Sequence, residues 1–430
     1  MRQYLFENKL NWKMKKRNLL LYSLFALIFP STLIAQENNL NFKFYGFLRV
    51  DACYDSRMSV TGNEGLFFFY PMDVKLDAKG EDLNAQPTLG LYTFNARPGF
   101  EVSGLRVFDA DVSGKAEADF AGFGGAYGNS SILRIRLAYM KMQWEKSSLL
   151  IGQDWHPFFG PVIPGQISLN TGAPFNPFNR SPQIRYNYAL NDKITLSASG
   201  LYQFQFNSTG PDGKTMAYQK YALRPEWVAS VNYQTPSFIA GAGINYLTLN
   251  PRRVSNWNNS VFKVDESLNS SAFTAYMKYT DNLFSIGAKT VYGSNTTHLS
   301  MLGGYGVTSR DSETGEQKYT NFKTSSSWLN VSYGKKYLAN LLFGYAANLG
   351  TDDPLLENTA LYGEGLNIKN LSRIATTFSY NVPHFKLGLE CEYSRANFGD
   401  EHQFNLKTGE NTATHTVKNT RVIGIIAYLF

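Results

Sequence analysis

The sequence predicts an all-β protein, a transmembrane up-and-down antiparallel β-barrel of about sixteen strands with short turns at the periplasmic rim and long loops at the extracellular one. Three observations lead there. Side-chain polarity alternates residue by residue in sixteen segments, and the connections between them alternate short and long. The chain is also 15% aromatic, with 27 Tyr, 31 Phe and 36 Gly, yet has no apolar run after its N-terminus long enough for a membrane helix.

The N-terminus reads as an export signal. Lys15, Lys16 and Arg17 precede an apolar run from Leu19 to Phe29, then Pro30 and the small-residue end Leu33-Ile34-Ala35. That run is shorter than the roughly 20 residues a spanning helix needs. Gln36 rather than Cys follows the expected cut, which argues against a lipid anchor. Residues 1–35 are therefore expected to be an upstream extension and a cleaved Sec-type signal, the start codon being Met1 or Met14, and 36–430 a single barrel domain. The leader holds six of the 41 basic residues and one of the 34 acidic ones, leaving 35 and 33, so the chain's basicity gives no support to nucleic-acid binding. Two cysteines, Cys53 and Cys391, are too few for a disulfide framework and are expected to be free thiols.

The alternating segments run roughly 42–52, 88–103, 106–119, 131–144, 147–155, 182–190, 193–206, 222–234, 237–250, 270–281, 283–296, 323–334, 337–350, 370–381, 384–397 and 418–430. Short connections fall at Ser103-Gly104-Leu105, Glu145-Lys146, Asn191-Asp192, Thr235-Pro236, Asp281-Asn282, Lys335-Lys336 and Val382-Pro383; eight longer stretches separate the remaining neighbours. This sorting places all turns at one rim. Backbone groups in hydrocarbon need partners, so such a sheet must close on itself. Phe385, Leu387, Leu389, Cys391 and Tyr393 then face lipid, and Lys386, Gly388, Glu390 and Glu392 face a watery interior. In the last strand Ile423, Ile425 and Leu429 leave the inward face less polar than expected.

Asp109, Asp111, Ser113 and Gly114 also begin like a calcium loop. Position twelve of such a loop would be Phe120 rather than Glu, and a strand through 106–119 is the better reading. No two His or Cys fall at metal-ligand spacing in the sequence, and the five histidines show no Ser and acid at revealing spacing; no metal, cofactor or enzymatic activity is expected.

Among the inward residues, Arg97, Arg134, Arg136 and Arg185 sit on neighbouring strands, with Asp109, Asp111 and Lys115 between them. They either pair with one another and hold water, or form a positive wall that steers anions. Counting back from a turn at Gly104 puts Arg97 beside Asp111 or Ser113. The loop His156–Ser181 differs from the others in its five prolines, many aromatics and few charges. It is stiff chain with apolar anchors, suited either to folding into the lumen or to capping the rim, with His156, Phe158, Phe159, Phe175 and Arg180 as its marked residues. GFGGAYG, Gly122–Gly128, is a loop tip rather than a phosphate loop, because it opens onto a strand.

On these features the chain resembles the Gram-negative outer-membrane porins. Within them GFLRVDACYD, the Arg97 region, and GQDWHPFF leading to RSPQIRYNY look like the dicarboxylate-porin-like (DcaP-like) group. The resemblance implies an outer-membrane channel for passive diffusion of small hydrophilic solutes, with the third loop as constriction and basic lumen residues near it favouring small anions. It also implies a homotrimer, contact with outer-membrane lipid and lipopolysaccharide, and Phe430 as the aromatic end read by the barrel-assembly machinery. Arg97, Arg134, Arg136 and Arg185 would be the solute-contacting residues. An adhesin or receptor barrel acting through the Asn-, Ser- and Thr-rich loops 251–269, 297–322 and 398–417 is the alternative.

Overall fold

A computed structural model describes residues 40–122, 131–400 and 404–430; the expected export signal and the loop tip beyond Gly122 lie outside the described residues. Alternating side chains form sixteen barrel strands: β1 Asn41–Asp55, β2 Thr88–Val107, β3 Ala110–Gly122, β4 Ile132–Gln143, β5 Ser147–Trp155, β6 Arg180–Ala189, β7 Ile194–Leu201, β8 Glu226–Gln234, β9 Phe238–Leu249, β10 Leu268–Thr280, β11 Phe284–Ser294, β12 Gln317–Gly334, β13 Tyr337–Thr351, β14 Ile368–Val382, β15 Phe385–Gly399 and β16 Thr414–Leu429. Each pairs antiparallel with its sequence neighbour, and β16 pairs with β1 to close the barrel. At the seam Gly46 and Phe430 exchange both backbone hydrogen bonds, at 2.9 and 3.1 Å. Two further strands, Gly303–Arg310 and Leu361–Glu364, pair with each other, the first also with β12, and extend the wall at the loop rim. Among the described residues α-helix is confined to Ala217–Ala222.

One turn lies elsewhere than the sequence reading puts it. Gly104, at φ +106°, makes a bulge between Ser103 and Leu105, and β2 continues to Val107. The chain reverses at Phe108 and Asp109, both in the left-handed region, as a two-residue hairpin turn matched to strand twist requires. Asp109 is therefore a turn residue, not a strand or calcium-loop residue. The shift moves the register: Gly99 pairs with Glu117, Asp111 with Arg106, and Arg97 lies by Glu117 rather than by Asp111 or Ser113. Cys53 lies inside β1 and is buried, whereas Cys391 is exposed on the outer face, and both are free.

The outer face carries the band a bilayer demands. Exposed Val231, Ile244, Met277, Leu329, Leu341, Ile374, Phe378, Leu389 and Ile426 girdle its middle. Tyr233, Tyr279, Tyr333 and Tyr337 stand near the short turns, and Trp227, Tyr246, Tyr292, Tyr345 and Tyr393 toward the loops. Rings of this kind sit at both membrane interfaces, where an aromatic body meets hydrocarbon and its polar tip meets water.

The inner face departs from the expectation of a wet interior. Lys289, Glu390 and Glu392, three of the inward charges, are 2%, 0% and 0% exposed. They are covered by loops folded into the barrel from the long-loop rim. Replacing outward Leu389 by Arg should destabilise the barrel by about 2–4 kcal/mol, read as a lower urea midpoint on folding into phosphatidylcholine vesicles, whereas outward Ser271→Arg, near the loop rim, should change little.

Candidate functional site: an eccentric lumen

Three loops occupy much of the interior. The third, 156–179, leaves β5 and crosses to the opposite wall, where inward polar side chains take up its backbone groups. Glu390 accepts from Ile167 N at 2.8 Å and Ser168 N at 3.3 Å; Asn330 accepts from Gly165 N at 3.1 Å. Lys289 donates to the carbonyls of Phe158 and Phe159 at 3.1 and 2.6 Å, Arg373 to Ala173 O at 3.0 Å and Arg49 to Ile167 O at 2.7 Å. Gly344 on β13 makes room for this path, since a Cβ there would stand 2.5 Å from the Phe175 ring. Ile423 and Ile425 pack with Ile167, Leu66 and Cys53, which explains their presence on an inward row.

The first loop, 56–87, adds a hairpin of Ser59–Gly62 and Phe67–Pro71. Its Phe68 is fully buried, with the guanidinium carbons of Arg373 and Arg421 at 4.6 and 5.4 Å from the ring centroid. Arg373 also donates to Phe69 O at 2.6 Å, and Arg421 to Gly65 O at 2.8 Å while ion-paired with Asp55. Further out, His415 at the top of β16 has Asp400 at 2.6 Å from Nδ1 and Asp73 of the first loop at 2.6 Å from Nε2. Lys418 and Thr416 face outward at this level, so the cluster stands above the hydrocarbon band.

The sixth loop, 295–316, meets the third. His156 Nε2 and His298 Nε2 lie 2.9 and 3.0 Å from one Glu226 oxygen, which also accepts from Asn245. The fold thus gathers two histidines that sequence spacing kept apart, and the three ligand atoms lie within 4.8 Å of one another. Phe158 N–H donates to His156 Nδ1 at 3.1 Å, so the ring proton belongs on Nε2, facing the carboxylate. Both histidines therefore meet the carboxylate in a hydrogen-bonded knot, in which His298 Nδ1 is left without a partner among the described residues. His156, Glu226 and His298 are each only 1% exposed.

What remains open is a cavity of about 440 Å³ against β1–β4. Arg49, Arg97, Arg134 and Arg136 line one side; Phe159, Ile163, Gln166 and Thr171 of the third loop and Phe67 and Phe69 of the first line the other. Trp155, stacked on Phe159 at 4.0 Å, joins Phe178 and Phe206 at its margin. The cations share fewer acids than their number. Arg134 holds Asp119 through two bonds of 2.8 and 3.1 Å, Arg136 bridges Glu117 and Asp119 at 2.7 and 3.0 Å, and Arg49 pairs with Asp51. Arg97 has only Glu117, at 3.8 Å, and its Nε has no hydrogen-bond partner. Arg180 lies fully buried among Trp155, Phe178 and Phe206, 5.0–5.6 Å from their centroids, with no ion pair among the described residues. Arg97 and Arg180 carry the surplus positive charge.

Of the residues marked in the sequence, Arg97, Arg134, Arg136 and Phe159 meet at this cavity. Arg185 faces inward but is turned to Asp154 and Gln183, and Lys115 is tied to Glu101 at 2.8 Å nearer the turns. Asp111 is exposed close to the first turn. His156, Phe158, Phe175 and Arg180 are buried anchors of the third loop. Strand parity in the sequence already puts Arg49, Asp51, Glu117 and Asp119 on the inward face with Arg134 and Arg136, but gives them no role beside the solute-contacting arginines, and it does not single out the aromatic margin.

A model of the DcaP outer membrane protein family matches residues 32–202, a stretch that contains the four arginines of the cavity and the whole third loop. In three dimensions the chain is similar to the crystal structure of the outer membrane channel DcaP of Acinetobacter baumannii, at TM-score 0.62 and 19% identity over 91% of this chain and 97% of that one. It is also similar to an anion-selective porin from Comamonas acidovorans, at 0.51 and 11% over 91% and 100%. The trimer form of OmpT, an outer membrane protein of Vibrio cholerae, aligns at 0.51 and 12% over 91% and 99%. Comparison with curated proteins yields no sequence match. The chain is an outer-membrane β-barrel with the porin channel fold. Within that class it resembles the DcaP group.

Two outcomes follow from the loop anchors. Gly344→Leu should displace Phe175 and loosen the third loop, giving a larger and noisier single-channel conductance; an unchanged conductance would show that the loop does not set the cross-section. At His415, burial alone favours the neutral ring, but the hydrogen bonds to Asp400 and Asp73 outweigh it and raise the pKa. The clasp is then fully formed below the free histidine value of about 6.5 and is lost as pH rises through the higher folded value. Hydrogen exchange in 74–84, corrected for intrinsic rate, should quicken at alkaline pH, and His415→Phe should abolish that step.

Proposed function

We propose that the protein is a water-filled channel for passive diffusion of small hydrophilic solutes across the outer membrane, with a preference for anions of the dicarboxylate kind. The supporting observation is the charge surplus at the cavity, where four arginines meet three carboxylates and Arg180 adds a further unpaired guanidinium behind the aromatic margin. In a narrow, low-dielectric passage such a surplus acts over the whole cross-section and favours one sign of ion. The similar fold of an anion-selective porin agrees with this reading.

In this reading Arg97, Arg134 and Arg136, joined by Arg49, contact the passing solute. Lys115, Arg185 and Asp111 line the approach from the turn side, with Asp109 at its rim. Phe159 presents the constricting face of the third loop, and His156, Phe158, Phe175 and Arg180 hold that loop in place. Residues 1–35 are the upstream extension and cleaved leader, and 36–430 the mature barrel. The assembly is a homotrimer in contact with lipid and lipopolysaccharide, delivered by the barrel-assembly machinery through Phe430; the trimeric form of a fold relative supports the oligomer.

Reversal potentials in a KCl gradient test the charge argument. Arg97→Gln should move the pore toward neutrality. Arg134→Ala with Arg136→Ala strips Asp119 of both its guanidinium partners, leaves Glu117 only Arg97, and should turn the preference toward cations. Glu117→Gln with Asp119→Asn should strengthen anion preference. An unchanged potential in all three would overturn the reading.

A further inference from the structure

The outer surface of β14–β16 carries a cationic patch that the pore does not use. Parity sends Arg373, Glu392 and Arg421 inward, so Ser372, Arg395 and Lys418 face outward. Ser372 pairs with Arg395, and Arg395 with Lys418, placing two exposed cations directly across from each other on adjacent strands. Lys369, exposed at the bulge between Ile368 and Asn370, adds a third. Like charges opposite one another destabilise a sheet. Two other cations of this rim do have carboxylates: Lys323 has Asp352 at 2.5 Å and Lys214 has Glu364 at 3.1 Å. Among the described residues Lys369, Arg395 and Lys418 form no ion pair.

Their height decides what meets them. Directly below, Ile374, Tyr393, Leu389 and Ile426 belong to the lipid-facing band, with Tyr393 in the aromatic ring. The cations therefore stand at the headgroup level of the outer leaflet. A polar ladder fixes the guanidinium there: Arg395 Nη2 donates to Thr416 Oγ1 at 3.4 Å, Thr416 to Asn397 Oδ1 at 2.8 Å and Asn397 to Asn370 Oδ1 at 2.6 Å.

We propose that this patch binds the phosphorylated headgroup of an outer-leaflet glycolipid, its phosphate bridging Arg395 and Lys418 with Lys369 at its edge. The site is on the outside of the barrel and independent of the pore's ion preference. A phosphate offers acceptors to both cations, and the acyl chains lie along the apolar band beneath them.

The test uses the full chain, purified in detergent and incorporated in phosphatidylcholine nanodiscs, titrated with diphosphoryl lipid A. Binding should be saturable and about tenfold weaker in a Lys369→Gln, Arg395→Gln, Lys418→Gln variant, the loss of roughly one charge-assisted hydrogen bond. Lys323→Gln should bind as the unaltered protein does. The heat-dependent gel mobility and single-channel conductance of the triple variant should be unchanged, showing an intact barrel. Equal affinity in the triple variant, equal binding of dephosphorylated lipid A, or equally tight binding of inorganic phosphate would each overturn the proposal.

Discussion

A chain crossing hydrocarbon must satisfy its own backbone, and the rest of this structure depends on that constraint. An unpaired amide in lipid costs several kcal/mol, so the sixteenth strand must find the first. The reciprocal bonds between Gly46 and Phe430 complete that seam. Once the ring is closed, every outward residue is committed to lipid and every inward one to the interior, and a single register error would reverse both. The bulge at Gly104 and the turn at Phe108–Asp109 are where this molecule sets its register for the second and third strands.

The same constraint governs the interior. A loop folded into a barrel carries its peptide groups away from bulk water and needs partners there. The inward rows of β10–β16 supply them: Lys289, Asn330, Arg373 and Glu390 each meet a backbone group of the third loop, and Arg373 and Arg421 do the same for the first. These charges are not a wetting layer. They are the counterpart of a ladder strand, made from side chains, and their burial is tolerable because each has an ionic or hydrogen-bonded partner. The consequence is an off-centre cavity, since the loops fill the far side of the barrel and leave the face of β1–β4 lined by arginines and carboxylates.

Period-two alternation made all sixteen strands legible, because a strand with lipid on one side and polar groups on the other has no other way to be written. The widest misses are at loop-side ends, where β7 stops at Leu201 rather than 206 and β12 starts at Gln317 rather than 323. Turn position was less legible. Gly104 looked like the turn because glycine favours positive φ, but a bulge makes the same demand, and Phe108 and Asp109 reverse the chain without a glycine. The apolar inward Ile423 and Ile425 were a visible sign of loop packing, interpretable only once Ile167 and Leu66 lay against them. The knot of His156, Glu226 and His298 was beyond sequence reading, since its members are separated by 70 and 72 residues and come from two loops and a strand.

Cavity chemistry follows from how the plug divides the charges. On the filled side Lys289, Arg373 and Arg421 are taken up by carbonyls or a carboxylate, so they contribute little field to the cavity. On the open side acids and arginines alternate on paired strands, which holds the wall together: Asp119 is gripped by two guanidinium groups and Glu117 by Arg136. A fully neutralised wall would be rigid and without sign. The mismatch left at Arg97, poorly paired at 3.8 Å, and at Arg180, clasped by rings rather than by an acid, gives the wall its sign. Rigidity and uncompensated charge therefore reside in different members of one arginine set: the pairs that fix the geometry are not the residues left without a full counter-charge.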